Sequence, residues 1–230
     1  MSSTSGKDPS PLPAYDVIDA WRVFRILSEL VEGFESMVSI GPSVSFFGSS
    51  KIREDNPYYK IAAELASKIA KKGFAVITGG GAGAMQAANQ GARQEKGKSC
   101  GLCIDLPDEE EPNAFIDRKY LLRFRYFFVR KVMFVRYAQA FVVMPGGFGT
   151  IDELFEALML IQTKRIKPFP VYLVGKDYWS GLIQWMNATA VKMGTITPEE
   201  MNLLIVTDDL DEIVSGIEAH YQKKKILENF

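Results

Sequence analysis

The 230-residue sequence has few of the residues that hold metals or disulfides, and no excess of charge of one sign. It contains two cysteines, Cys100 and Cys103, and a single histidine, His220, which are too few for an ordinary zinc site. Its 27 basic and 28 acidic residues nearly cancel, so no basic face for nucleic acid is expected. No apolar run approaches the roughly 18 residues of a membrane span. We therefore expect no metal, nucleic acid or membrane as a partner.

The first residues are polar and rich in serine and proline, without the apolar stretch of a secretory signal. With 47% hydrophobic and 24% charged residues, the composition is that of an average globular protein. These features predict a cytoplasmic protein, with a disordered arm at 1–15 and one domain over 16–230.

The two cysteines stand three residues apart, a spacing that also occurs in redox motifs. Redox cysteines usually lie at a helix N-terminus, which lowers the thiol pKa. Here the pair falls within SCGLCIDL, which is typical of a buried strand, where residues three apart point to opposite faces. We predict that both cysteines are buried structural residues, and the redox interpretation is the alternative.

Short apolar runs alternate with segments of helical periodicity along most of the chain. The predicted strands are 44–48, 74–80, 99–106, 140–147, 170–175 and 203–208, with a further one near 123–128. The predicted helices are 17–37, 57–72, 83–95, 127–138, 150–165, 178–192 and 209–224. This alternation predicts an α/β fold, a doubly wound parallel sheet with helices on both faces.

Three predicted strands end in turns of small residues that lead into helices, at 48–50, 79–85 and 145–150. Such a turn brings unpaired N–H groups and the positive end of a helix dipole close to an anion. One turn is weak support, but three at the same edge of a sheet indicate a phosphate-bearing small molecule. The dinucleotide and Walker motifs are both absent, which disfavours NAD and nucleoside triphosphates.

Two groups of charged residues lie next to these turns. Thr150 and Glu153 have the spacing of a capping box, in which each side chain bonds a backbone N–H. A carboxylate beside a phosphate site could instead have a catalytic task. Arg130 and Lys131 open a predicted helix, where cations oppose the helix dipole. That position favours a ligand-binding role over a surface ion pair, although both interpretations stay open.

The segment from Arg130 to Met133, followed by PGGFGTIDE at 145–153, resembles the LONELY GUY (LOG) family. Its signature is R-K-x-x-M followed by P-G-G-x-G-T-x-x-E, and the turns GGGAGAM and FFGSS are also similar to that family. The resemblance covers about residues 42–190. It implies a Rossmann-like fold and hydrolysis of the N-glycosidic bond of a nucleoside 5′-monophosphate. The substrate would be AMP or an N6-substituted AMP, and the products a free base and ribose 5-phosphate.

The resemblance also implies roles for particular residues, with no organic cofactor and no metal. Glu153 would stabilise the oxocarbenium-like sugar or orient water, and Arg130 would polarise the departing base. The residues implied in substrate and phosphate binding are Ser49, Gly80, Gly81, Gly83, Met85, Glu109, Lys131, Gly146, Gly147, Gly149 and Thr150. The family's older label, possible lysine decarboxylase, is not supported, because no pyridoxal phosphate lysine can be identified.

Several points differ from the family pattern or stay open. Gln86 stands where the family often has Glu. In the acidic loop at 106–113, Glu110 could take the place of Glu109. A broad nucleotide nucleosidase is almost as consistent with the sequence as a cytokinin-specific enzyme. A non-catalytic carrier or sensor of a phosphate ligand is the alternative function, and an assembly component is a third. A homo-oligomer, a dimer or larger, is expected, and the aromatic-rich helix at 21–34 could form its interface or simply cover the sheet.

Overall fold

A computed structural model describes residues 18–105, 111–224 and 229 of the chain. The predicted arm at 1–15 lies outside these residues, and so do Glu109 and Glu110. The elements below are all built from the described part of the sequence.

A single sheet of seven parallel strands organises the fold, in the order β4-β3-β2-β1-β5-β6-β7. The strands are β1 Ser43–Phe47, β2 Ala75–Thr78, β3 Ser99–Ile104, β4 Leu121–Phe124, β5 Ala138–Val143, β6 Val171–Leu173 and β7 Leu204–Val206. The chain moves outward from β1 to β4, then returns to place β5 beside β1 and continues outward to β7. The predicted doubly wound α/β fold is confirmed, and the extra strand β4 lies slightly upstream of its predicted position.

Helices cover both faces of this sheet. They are α1 Ile18–Met37, α2 Pro57–Lys71, α3 Ala84–Gln94, α4 Phe127–Arg136, α5 Phe148–Gln162, α6 Lys176–Trp185 and α7 Leu210–Lys224. Helix α6 continues into a wider π-helical segment, Met186–Val191, so the helix predicted at 178–192 has two parts. Within the described ranges, no helix is both long and apolar enough to cross a bilayer.

Two apolar cores lie on opposite sides of the sheet because successive strand residues point to opposite faces. Phe47 of β1 packs in the core beneath α1, α4, α5 and α6. Its neighbour Phe46 packs in the core beneath α2, α3 and α7. Every residue of β1, β3 and β5 is buried, as expected for inner parallel strands.

The two cysteines lie in the inner strand β3, and both are free thiols. Burial raises the pKa of the Cys100 thiol far above its usual range, which makes the reactive thiolate scarce. The prediction of two buried structural cysteines is confirmed.

Helix α1 is apolar on two sides. Ile26, Leu30 and Phe34 pack against the core of the sheet. Other large apolar side chains of the helix are at least half exposed, namely Trp21, Val23, Phe24, Leu27 and Val31. The helix therefore covers the sheet, and it also presents a second apolar face.

Candidate active site

The candidate site lies at the carboxyl ends of β1 and β5, where the strand order reverses. From these two neighbouring strands the chain departs toward opposite edges of the sheet, which leaves a crevice between the loops that follow them. Both strands are followed by predicted glycine turns, at residues 48–50 and 145–150. The topology thus places two of the three turns at the point where ligands usually bind.

A cavity of about 410 Å³ opens at this position. Its volume lies within the range of roughly 300–1,000 Å³ that is common for small-molecule pockets. The lining residues are Phe47, Gly48, Ser49, Ser50, Lys51, Gly79, Met85, Arg130, Phe134, Gly147, Phe148, Gly149, Thr150 and Glu153. Seven of the predicted site residues are therefore brought together here: Ser49, Met85, Arg130, Gly147, Gly149, Thr150 and Glu153.

Backbone hydrogen bonds of Ser49 join all three glycine turns. Its N–H donates to the carbonyl of Pro145 at 3.0 Å, and its own carbonyl accepts from the N–H of Ala84 at 3.1 Å. Gly83 has a φ of +65°, and a Cβ there would collide with the backbone of Ser49 and Ser50. Gly83 therefore serves close packing between turns, and it does not line the cavity.

The N-terminus of α5 forms one wall of the cavity. The helix begins at Phe148 after Gly147, and the N–H groups of a first turn have no acceptor within their own helix. A Cβ at Gly147 or Gly149 would meet open space, so a ligand can approach this backbone closely. Thr150 lies inside the helix, and no side chain caps the helix. The capping-box interpretation of Thr150 and Glu153 is therefore wrong.

Glu153 and Arg130 face each other at the bottom of the cavity. The Arg130 Nη2 atom lies 3.7 Å from Glu153 Oε1. The guanidinium of Arg130 also lies over the rings of Phe127 and Phe134, 5.1 and 5.5 Å from their centroids. Two ring faces and a carboxylate thus hold the arginine in one orientation.

The Glu153 carboxyl is only 5% exposed, and its environment changes its acidity. Burial raises its pKa to about 7, although the positive charges of Arg130 and Lys131 oppose this effect. Its Oε1 atom accepts no hydrogen bond from the described residues. A carboxyl group that titrates near neutral pH in a cleft is a candidate for acid–base or electrostatic catalysis.

Lys131, the neighbour of Arg130 in α4, points away from the cavity. Its Nζ atom lies 2.8 Å from Asp152 and 2.6 Å from Glu156, beside a surface groove between α4 and α5. Burial lowers its pKa, but the hydrogen bonds to these two carboxylates outweigh that effect and raise it above the ordinary value. Successive helix residues are rotated by about 100°, which separates Lys131 from Arg130.

The glycine turn after β2 contributes less to the cavity than its sequence indicates. Gly79 lines the cavity, but a Cβ at Gly80 would collide with the Cys103 sulfur. Met85 covers Gly81, since its Cε atom is 2.9 Å from the Cβ position of that glycine. Gly80, Gly81 and Gly83 are not among the lining residues, and neither is Gly146, whose Cβ position meets the Thr150 side chain.

Several lining residues were missed by the sequence analysis. Phe47 and Phe134 belong to apolar runs that predict only core residues, and they form the apolar wall beside Arg130. Lys51 could have been found because it directly follows the predicted turn at 48–50. Phe148, which is 93% exposed, lies inside the recognised PGGFGT segment at the mouth of the cavity. No three Cys, His, Asp or Glu side chains in the described ranges are grouped to hold a metal.

The fold and the site together define a class: an α/β protein in which the N-terminus of a helix lines a cavity, next to a buried carboxylate–guanidinium pair. Residues 85–217 match the family model described as "Possible lysine decarboxylase", which is more than half of the chain. The chain belongs to this family, the LOG family, and the resemblance found in the sequence is confirmed.

Curated relatives agree with this assignment, and solved structures share the fold. A cytokinin riboside 5′-monophosphate phosphoribohydrolase of Mycobacterium marinum is 30% identical over 68% of this chain and 83% of the relative. One of Arabidopsis thaliana is 26% identical over 76% of each chain. The molybdenum cofactor binding protein of Rippkaea orientalis has a TM-score of 0.58 at 21% identity, and covers 78% of this chain and 96% of its own. At that identity, the likeness establishes a shared fold.

Proposed function

We propose that this protein hydrolyses the N-glycosidic bond of nucleoside 5′-monophosphates, AMP or an N6-substituted AMP, to a free base and ribose 5-phosphate. The observation that carries the proposal is the buried Glu153, 3.7 Å from Arg130, in a cavity whose wall is a helix N-terminus. The names of the curated relatives support the same reaction.

In this proposal the 5′-phosphate binds at the N-terminus of α5. The free N–H groups of the first turn, the helix dipole and the Thr150 hydroxyl all favour an anion there. Ser49 and Lys51 also line this cavity. Glu153 lies one turn further along α5 than Gly149, so a phosphate at the helix start directs the ribose toward the carboxylate.

The chemistry follows from the charge that develops on the sugar. As the C1′–N bond breaks, its electron pair leaves with the base, and the ribose ring becomes oxocarbenium-like. An ionised Glu153 stabilises that positive charge and accepts a proton from the attacking water. The water oxygen then forms the new bond to C1′. The proton that Glu153 has accepted is released to solvent as the departing base takes one up from solvent, so the carboxylate is restored.

Arg130 acts on the leaving group in this scheme. A guanidinium has too high a pKa to give up a proton readily, so it polarises the base through hydrogen bonds. The rings of Phe127 and Phe134 hold its orientation, which limits the cost of positioning it during the reaction.

The test is incubation of the purified protein with AMP and with isopentenyl-AMP, and separation of the products by liquid chromatography. We expect free base and ribose 5-phosphate from at least one of the two. Glu153→Gln should lower kcat by about 100-fold or more, because it removes the charge that stabilises the transition state, while AMP binding is retained.

Glu64→Gln is the matched control, since it neutralises an exposed carboxylate of α2 and should leave turnover unchanged. The ratio of the two wild-type rates indicates the preferred base. Intact nucleotides across a wider monophosphate panel, with AMP still bound, would contradict the proposal.

That contradictory result would favour a second function, a non-catalytic carrier of a phosphate-bearing ligand. The solved structures with this fold include a molybdenum cofactor carrier protein of Chlamydomonas reinhardtii, with a TM-score of 0.52 at 20% identity. A pure carrier has no need for a carboxylate beside the phosphate, so the Arg130–Glu153 pair favours the hydrolase. Binding without turnover in both the wild type and Glu153→Gln would identify the carrier.

A further inference from the structure

A network of two amide side chains, one buried and one partly buried, contacts the glycine turn at 79–81. Its centre is Asn89 of α3, which is completely buried. Its outer member is Asn113, in the segment between β3 and β4. Neither residue lines the cavity, and the sequence analysis gave neither of them a role.

Every hydrogen-bonding position of the Asn89 amide is occupied. Its oxygen accepts from the Thr78 hydroxyl at 2.7 Å and from the Asn113 amide at 3.0 Å. Its nitrogen donates to the Ser99 hydroxyl at 2.8 Å and to the carbonyl of Cys100 at 3.2 Å. An asparagine amide has two donors and can accept two bonds, so one side chain connects β2, β3 and the Asn113 segment.

Asn113 fixes the turn itself. Its amide nitrogen lies 3.0 Å from the carbonyl oxygens of Gly80 and Gly81 and from Asn89 Oδ1, so its two hydrogens are shared among three acceptors. Its backbone N–H donates to the carbonyl of Gly80 at 2.9 Å. The Gly80 N–H in turn donates to the Thr78 hydroxyl at 2.9 Å. The Asn113 oxygen accepts from the backbone of Phe115 at 3.1 Å. The turn is thus held at the carbonyl groups of Gly80 and Gly81 and at the N–H of Gly80.

The opposite side of the turn faces the cavity. The Met85 sulfur lies 2.8 Å from the Cβ position of Gly79, and the Arg130 Nη1 atom lies 3.9 Å from the same position. A shift of the turn by a few tenths of an ångström would therefore move Met85 and change the space beside the guanidinium. The turn therefore contacts the amide network on one side and the residues of the cavity on the other.

We propose that Asn113 and Asn89 are positioning residues for this site: they set the shape of the turn at 79–81, and the turn sets the position of Met85 beside Arg130. The inference rests on the proposed function. Filling this space with amide side chains carries a free-energy risk. Any amide group buried without a hydrogen-bond partner loses its hydration and gains nothing in return. The geometry that the network imposes on the turn explains why it is present there.

Asn113→Ala is the first test, because Asn113 is only partly buried and its loss spares the core. We expect KM for the nucleotide to rise about tenfold and kcat to change by less than about threefold, since the turn shapes binding more than the chemical step. Amide hydrogen exchange in the peptide 79–85 should become faster. Ser43→Ala, which removes a buried hydrogen bond to Tyr137 at the other end of β1, should change neither KM nor exchange in that peptide.

Asn113→Asp separates hydrogen-bond donation from simple filling of space. Aspartate has the same size and still accepts from the Phe115 N–H, but a carboxylate cannot donate to Gly80 and Gly81. We expect this variant to be as impaired as Asn113→Ala. Wild-type KM in Asn113→Asp would overturn the proposal.

The same variants remain informative if the wild type proves to have no turnover. The dissociation constant for AMP then replaces KM, and hydrogen exchange of the peptide 79–85 needs no activity. Loss of AMP affinity with faster exchange supports the positioning role even when hydrolysis fails. Unchanged affinity and unchanged exchange in Asn113→Ala would overturn it.

Discussion

Under the proposed function, Glu153 places catalysis and stability in opposition. In the unfolded chain its carboxyl ionises near the ordinary pKa of 4.5, whereas burial raises the folded value to about 7. As pH rises between these values, the unfolded state releases a proton that the folded state keeps, so the free energy of unfolding falls. The loss is complete above pH 7, and a shift of this size corresponds to roughly 3 kcal/mol.

Glu153→Gln should therefore stabilise the protein at pH 8 and have a much smaller effect at pH 4.5. We expect a gain of up to about 3 kcal/mol at the higher pH, measured by urea denaturation at both pH values. Glu64→Gln, at an exposed site, should show no such pH difference. An equal effect of Glu153→Gln at both pH values would mean that burial does not destabilise the ionised form of this carboxyl group.

At the scale of elements, the close packing of α2 against α3 fixes the position of α3, which carries Met85 of the cavity. A Cβ at Gly91 of α3 would collide with the carbonyl of Ala63 in α2 and lie 3.0 Å from the Ser67 nitrogen. Helix α3 begins at the glycine turn and contains both Met85 and Asn89. The distance between the two helices thus also determines where this wall of the cavity lies.

Gly91→Ala should destabilise the protein by about 2 kcal/mol or more, because backbone atoms of α2 must move to make room. Gly181 of α6 is the matched control, since a Cβ there meets nothing within 4 Å. Gly181→Ala should stabilise the protein by up to about 1 kcal/mol through its better helix propensity. Thermal or urea denaturation of both variants checks the comparison, and equal effects would contradict it.

The elements could be predicted from the sequence to a greater extent than the site. The alternation of apolar runs and helical periodicity indicates the doubly wound sheet, because inner parallel strands are buried on both faces. A motif shows which residues occur together but not which way each one points, so Lys131 was grouped with Arg130 although it faces Asp152. Asn89 and Asn113 are far apart in sequence, and no pattern connects them before the chain is folded.

At the scale of the whole molecule, the exposed apolar face of α1 supports the prediction of a homo-oligomer. Trp21 and Phe24 are each 62% exposed, and their rings contact each other with centroids 5.9 Å apart. Covering the sheet explains why the inner face of α1 is apolar, but it does not explain the apolar outer face. Contact with another copy would remove the outer aromatic face from water.

Light scattering at micromolar concentration should give a mass of at least two chains, and the double variant Trp21→Ser, Phe24→Ser should lower it. Trp185→Ser, which changes a tryptophan of α6 with 55% exposure, is the control and should leave the mass unchanged. A wild-type protein that is monomeric at this concentration would refute the prediction.

The backbone bonds of Ser49 divide the site into two kinds of surface. The part proposed to bind the phosphate consists of main-chain atoms, with Ser49 linking Pro145 to Ala84, and most changes of side chain leave such atoms in place. The rim around it consists of side chains such as Phe148 and Lys51, which a single substitution can alter. Under the proposed function, a substitution in this rim would change the side chains around the ligand and leave the backbone that binds the phosphate unaltered.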